Sequence, residues 1–307
     1  MNKTLRKAMI STIAMLVVGV MSLTGVTYAW FTQGTDATVT EFNVNVQAAD
    51  GSLTLAIPNA QNVLTWSTTI TPGAPANALR PVSNATGAVD KFFHATISGA
   101  DATKLGAINA LDEATSTVGE GSDAKTYNNW YAFDFYINNM TNTNQMTVTL
   151  KSNTGFTGNS AKALRIAFIQ DGYMTDASGS FNSAVSYDQD EASTTKTVIF
   201  EPNSAAEQSA QAAANATANG GNTTYAIIST DALNKSIYGA GDGKTAQTTT
   251  FDNTTTAIAT LPANTVAKVT VVIWIEGQDV DCNNDIAAIA MTLPISLKAT
   301  FTAPSGT

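Results

Sequence analysis

The sequence predicts an all-β chain, a jelly-roll-like antiparallel β-sandwich with helical and loop insertions. Three observations carry this. Short segments alternate apolar and polar side chains with period two, as half-buried strands do. These segments are rich in Val, Ile, Thr, Phe, Tyr and Trp and are separated by clusters of Asn, Gly, Pro and Asp. One segment, residues 265–276 (TVAKVTVVIWIE), is apolar on both faces, which suits a strand at the centre of a sheet.

The chain opens with Lys3, Arg6 and Lys7, followed by an uncharged run from Ala8 to Ala29 with a strongly apolar centre at residues 13–21. Thr27 and Ala29 put small residues at the two positions a signal peptidase reads. Residues 1–29 are therefore expected to be a signal peptide, cut at Ala29–Trp30, with Trp30–Phe31 the next choice. The competing reading is a retained membrane anchor, because the uncharged run approaches a bilayer-spanning length. Ser11, Thr12, Ser22, Thr24 and Gly25 dilute its ends and favour cleavage.

Residues 30–307 are expected to form a single β-sandwich domain. In residues 38–46, Thr38, Thr40, Phe42, Val44 and Val46 share one face. Leu53, Leu55 and Ile57 alternate after an AADG turn. Residues 58–84 read as loop with a short strand at 66–70, and residues 91–98 (KFFHATIS) as a strand. Leu105, Ile108, Leu111 and Ala114 recur at helical spacing, so residues 101–121 are expected to be a helical insertion. In residues 129–138 (NWYAFDFYIN), Tyr131, Phe133, Phe135 and Ile137 form one face and Trp130 and Tyr136 the other. Residues 145–151, with Met146, Val148 and Leu150 inward, and residues 163–170, with Leu164, Ile166 and Phe168 inward, complete three segments expected to be antiparallel neighbours.

Residues 196–200 read as a short strand. A second insertion spans about residues 203–254. In it, Ser204 and Glu207 form a capping box before an Ala-rich helix at 208–218, and residues 231–238 read as one more short helix. The run GAGDGKT at 239–245 lacks the spacing and the preceding apolar strand of a phosphate loop. In residues 265–276, Val269, Val271, Ile273 and Ile275 point one way and Val272 and Trp274 the other. Residues 291–301 alternate through Met291, Leu293, Ile295, Leu297, Ala299 and Phe301. Pro294 cannot donate to a ladder and predicts an edge or a bulge there.

Composition narrows the function. Asp and Glu outnumber Lys and Arg by 24 to 15, for a net charge of −9. Nucleic acid is thereby disfavoured as a partner, since phosphate binding needs clustered Lys and Arg. Cys282 is the only cysteine, so no intramolecular disulfide can form. It is either a buried, inert thiol or one half of an intermolecular bridge. His94 is the only histidine. That removes HExxH zinc chemistry and leaves His94 best read as a packed side chain beside Phe92 and Phe93. No G-x-S-x-G elbow is present, and no catalytic residue is assigned. The one oxygen-rich cluster is Glu276, Asp279, Asp281, Asn283 and Asp285. Alternate spacing of Asp279, Asp281, Asn283 and Asp285 could aim oxygens at calcium, the one cofactor the sequence brings into question. An Asx-rich turn explains the same residues and is preferred. Asn-x-Thr triplets at Asn84, Asn139, Asn215, Asn222 and Asn253 are what a chain this rich in Asn and Thr gives by chance.

Gly25, Thr27, Tyr28 and Ala29, then Phe31 and Thr32, then Phe42-Asn43-Val44 resemble the start of the TasA/camelysin family of exported Gram-positive matrix-fibre proteins. That family carries Asp soon after the Phe, where Gln33 and Gly34 stand here before Asp36. The aromatic segment followed by Leu164-Arg165 is similar to the family's middle section. Trp274, Glu276, Gly277, Asp279, Asp281 and Cys282 resemble the stretch before its last strand. The resemblance implies a secreted structural subunit of extracellular or biofilm matrix fibres, released by an ER-type signal peptidase. It implies that residues 30–47 act as a donor strand for the next subunit, through Phe31, Phe42, Val44 and Val46. The partners implied are other copies of the chain in a homopolymer, other matrix proteins, and the peptidase during export, with membrane contact only through the leader before cleavage. Two other readings stay open: a monomeric cell-surface adhesin or carbohydrate-binding module, and a secreted hydrolase, since camelysin-type relatives have been called metalloproteases.

Overall fold

A computed structural model describes residues 38–47, 53–84, 89, 92–98, 101–118, 121–150, 164–175, 195–201, 234–236, 256–277 and 290–303. They form β-strands and, among the described residues, no α-helix. The first eight strands are β1 (Thr38–Gln47), β2 (Leu53–Ala56), β3 (Thr69–Ile70), β4 (Pro81–Asn84), β5 (Phe92–Ser98), β6 (Asp101–Leu111), β7 (Thr115–Val118) and β8 (Lys125–Asn128). Then come β9 (Tyr131–Asn139), β10 (Gln145–Leu150), β11 (Leu164–Asp171), β12 (Met174–Thr175), β13 (Thr195–Glu201), β14 (Asn234–Ser236), β15 (Ala257–Leu261), β16 (Thr265–Glu276) and β17 (Ala290–Thr302).

The chain is organised around β16. One flank is paired antiparallel with β11 and β12; the other is paired antiparallel with β9 and, past Ile273, parallel with β4. Its two apolar faces serve two clusters, as the sequence predicts. Val269, Val271, Ile273 and Ile275 enter the main core, while Val272 and Trp274 join Val82, Phe92, Ala167 and Ile199 on the opposite face of the sheet. Each fully buried large side chain contributes about 1.5–3 kcal/mol. The faces of β9 and β11 follow the period-two reading: Phe135, Ile137, Leu164, Ile166 and Phe168 lie in the main core, and Tyr136 packs with Ala56, Leu64 and Val266 on the other side.

A second sheet of five strands, in the order β15, β10, β17, β1, β3, supplies the other half of the main core. Met146, Val148, Leu150, Ile258, Leu261, Ile295, Leu297 and Ala299 come from it and pack with the residues of the β16 sheet. Two sheets thus share one apolar layer.

This arrangement corrects an expectation. The strands β9, β10 and β11 are not neighbours: β9 and β11 lie on opposite flanks of β16, and β10 belongs to the other sheet, between β15 and β17. The turn from Asn139 to Gln145 is therefore an arch that crosses between sheets. A second arch, Pro262 to Asn264, leads from β15 to β16; Asn264 takes a left-handed φ of 54° and donates its N–H to the Thr141 carbonyl at 2.9 Å. Asn139, fully buried, pins both arches. Its Nδ2 donates to the carbonyls of Asn144 (2.9 Å), Leu261 (3.2 Å) and Pro262 (2.7 Å), and its Oδ1 accepts from Thr141 N and Oγ1.

Gln170 makes a second tie between the sheets. It lies on the inward face of β11, after Leu164, Ile166 and Phe168, and is 6% exposed. Its amide accepts from the Thr260 N–H at 2.9 Å and donates to the Thr260 carbonyl at 3.0 Å. A side-chain amide thereby pairs with the outer edge of β15 in place of a neighbouring strand, which satisfies backbone groups that an edge leaves open.

The described residues of the segment 101–121 are not α-helical. They form β6, β7 and the start of a one-turn 3-10 segment, Gly121–Asp123, with β6 antiparallel to β5 and β7 antiparallel to β8. The apolar residues Leu105, Ile108 and Leu111 fit helical spacing, but pairing with β5 decides the backbone, and local propensity yields to a ladder. Likewise Asn234–Ser236, within a predicted short helix, is a strand parallel to β13. Of the segment predicted at 66–70, only Thr69–Ile70 is strand, with Ser67 bridged to Leu55. The predicted leader, the bond Ala29–Trp30, Phe31, the predicted capping box and helix at 208–218, and Cys282 lie outside the described residues.

Candidate functional site

The candidate site is the junction of the first and last described strands. β1 runs parallel to β17 along its whole length, from Thr38 opposite Ala290 to Gln47 opposite Lys298, with one extra residue in β1 between Val39 and Glu41. Phe42, Val44 and Val46 stand at register positions opposite Leu293, Ile295 and Leu297. The other flank of β1 is paired only at Val44 and Asn45, with the two-residue β3, among the described residues. The proposed donor strand is thus paired within its own chain, by one long parallel ladder and one short antiparallel contact. Parallel pairing is slightly less stable per residue than antiparallel.

β17 is held differently along its length. Residues 297–302 pair antiparallel with β10, whereas Pro294 pairs only on the β1 flank among the described residues. The proline predicted to mark an edge therefore sits where β10 has already ended, and the bulge lies in the partner strand. Ile295 and Leu297, both 0% exposed, bring the apolar face of β17 into the main core beside this ladder.

Neither a family model, nor a curated protein, nor a solved structure matches this chain. The functional reading rests on the residues and their geometry.

Of the oxygen-rich cluster, Glu276 is described. It is 2% exposed, and its Oε2 accepts from Trp274 Nε1 at 3.2 Å and from the Asn84 N–H at 3.3 Å. This carboxylate is directed into the fold, where it ties β16 to β4. The calcium candidates Asp279, Asp281, Asn283 and Asp285 lie outside the described residues. Among those described, no three His, Cys, Asp or Glu side chains come together as a metal site. Asn84 and Asn139, two of the Asn-x-Thr triplets, are 1% and 0% exposed, so neither can carry a glycan on the folded chain.

His94 is half-buried on β5, and among the described residues its Nδ1 is buried without a hydrogen-bond partner. Burial, reinforced by the charge of Arg80, lowers its pKa from 6.5 to about 4. Arg80, just before β4, is itself held below its usual range by burial. Its Nε donates to Asn129 Oδ1 at 2.7 Å. Asn129, 0% exposed, also accepts from Ser116 Oγ at 2.7 Å and donates to the Glu113 carbonyl at 2.7 Å. The hairpin β7–β8 is thereby fastened to the residues leading into β4, helped by paired backbone bonds of Asn128 with Ala78 and Arg80.

The folded state resists protonating His94 while the unfolded chain takes the proton near pH 6.5, so its contribution is fully present above that pH and is lost as pH falls through about 4. The denaturation midpoint is expected to drop between pH 7 and pH 4.5, and the drop to shrink in His94→Leu. An unchanged pH slope in that variant would assign the loss to other groups.

Sequence reasoning did not single out Arg80, Asn129 or Gln170, and read Asn139 only as a chance Asn-x-Thr triplet. A signal was present for two of them: the inward alternation of β9 ends in Asn139 and that of β11 in Gln170, polar residues at positions where the period demands an apolar one.

Proposed function

We propose that this chain is a secreted structural subunit of extracellular matrix fibres, built on a jelly-roll-like β-sandwich and assembled by exchange of its N-terminal strand. The observation that carries this reading is the ladder between β1 and β17. Among the described residues, β1 sits one strand from the sheet edge, and the short β3 pairs with two of its residues. A strand held in this way can close its own sheet in one subunit and a neighbour's sheet in the next, with the same backbone bonds in both. Exchange along one direction is heterologous and produces an open filament. Cleavage at Ala29–Trp30 would free the strand from the membrane leader, so processing would gate assembly.

Electron microscopy of the chain beginning at Trp30, beside a version lacking residues 30–47, tests this. Filaments are expected from the first and none from the second, because removal of β1 uncovers the flank of β17 next to the buried Ile295 and Leu297. Equal behaviour of the two would end the proposal.

A further inference from the structure

We infer that Arg80 and His94 form a binding subsite for a single carboxylate group. The site lies on the β4–β5 face and holds whether or not the chain forms fibres. β4 and β5 are antiparallel, with Ser83 opposite Phe93 and Asn84 opposite Phe92. Continuing that register by one residue sets Val82 opposite His94, with Arg80 the diagonal neighbour two residues on. Diagonal neighbours are separated by roughly 7–8 Å, within reach of long side chains. Among the described residues, Arg80 spends only Nε on the protein, in the bond to Asn129. Asn129 Oδ1 is filled by Arg80 Nε and Ser116 Oγ and its amide is anchored on the Glu113 carbonyl, so it fixes the direction of the guanidinium and, among the described residues, leaves both Nη groups for a ligand. Among the described residues Arg80 has no ion pair, although the exposed carboxylates Asp112 and Glu113 stand on the neighbouring link.

His94 supplies the second donor. Its Nδ1 is buried and unpartnered, so a proton there would be an orphaned donor. The neutral ring therefore carries its proton on Nε2, which has no hydrogen-bond partner among the described residues and can meet a ligand. Together the groups offer a planar fork with one positive charge and one neutral N–H. A carboxylate matches this: it accepts two parallel bonds from guanidinium and brings one negative charge. A doubly charged phosphate would leave an unbalanced charge in a half-buried site.

His94, the only histidine in the chain, reports on the site directly. Its imidazole resonances are to be followed by NMR in the mature full-length chain while sodium acetate, or sodium chloride at equal ionic strength, is added. Acetate is expected to give a saturating shift and to raise the His94 pKa by about one unit, since a bound anion favours the charged ring. Arg80→Gln should abolish the response, and Arg80→Lys, which keeps the charge but loses the fork, should weaken it several-fold. If the natural carboxylate belongs to an acidic side chain of a second copy, raising the protein concentration without acetate will move the same resonances; if it belongs to a free organic acid, it will not. An equal response to chloride, no response to acetate, or an acetate response that persists in Arg80→Gln would overturn the inference. The acetate–chloride comparison on the unmodified chain decides it even if the variants fail to fold.

Discussion

Cysteines placed at Gln47 and Lys298, in a Cys282→Ser background, are expected to give opposite products depending on when they are oxidised. The two positions are register partners at the end of the β1–β17 ladder. Oxidised before assembly, they join the strand to its own subunit, and filament formation should fall to background. Oxidised in finished filaments, the same pair should link β1 of one subunit to β17 of the next and give a ladder of covalent multimers on a non-reducing gel. In the proposed exchange the register would be preserved and only the chain that supplies β1 would change. Filaments that yield only internally linked monomers would show that the strand never leaves its own subunit. Filaments that grow normally from the pre-oxidised chain would show the same.

The second large effect concerns Asn139. Asn139→Ala removes the donor for three carbonyls and the acceptor for Thr141 at a fully buried position. Buried polar groups left unpaired cost about 1–3 kcal/mol each before relaxation. Because the arches can adjust, a total loss of about 3 kcal/mol is expected. For a chain of this size that is a fall in Tm of about 5 °C. Lys268→Ala provides the contrast. Its ion pair with Asp134 spans 3.6 Å between side chains that are 26% and 43% exposed, and such pairs contribute below about 1 kcal/mol. Calorimetry on the two variants separates the readings: similar losses would mean that Asn139 behaves as a surface turn residue.

Much of the strand layout is legible from residue order. The aromatic alternation of β9, the double-faced apolar run of β16 and the clean alternation of β17 specify which side chains go inward, because a period of two leaves each residue only two faces to choose between. The segment at 101–111 misleads because Leu105, Ile108 and Leu111 satisfy a helical period, while the ladder with β5 that settles it is a tertiary pairing that no helical count can register. Strand β15 escapes sequence reading for a related cause: AIATL is short and weakly patterned, and its outer edge is completed by the Gln170 amide from the other sheet.

The order of residues alone determined that this is a β protein, which side chains its strands bury, that β16 lies inside a sheet, and that zinc chemistry needing several histidines is closed to it. Those conclusions depend on period, composition and residue type, which act within one strand. Only the tertiary structure decided that the turns after β9 and β15 cross between sheets, that Asn139 and Gln170 serve as ties, and that β1 pairs with β17 in its own chain. Each of these depends on hydrogen bonds between residues remote in sequence, and backbone groups carry no side-chain label that would name their partner.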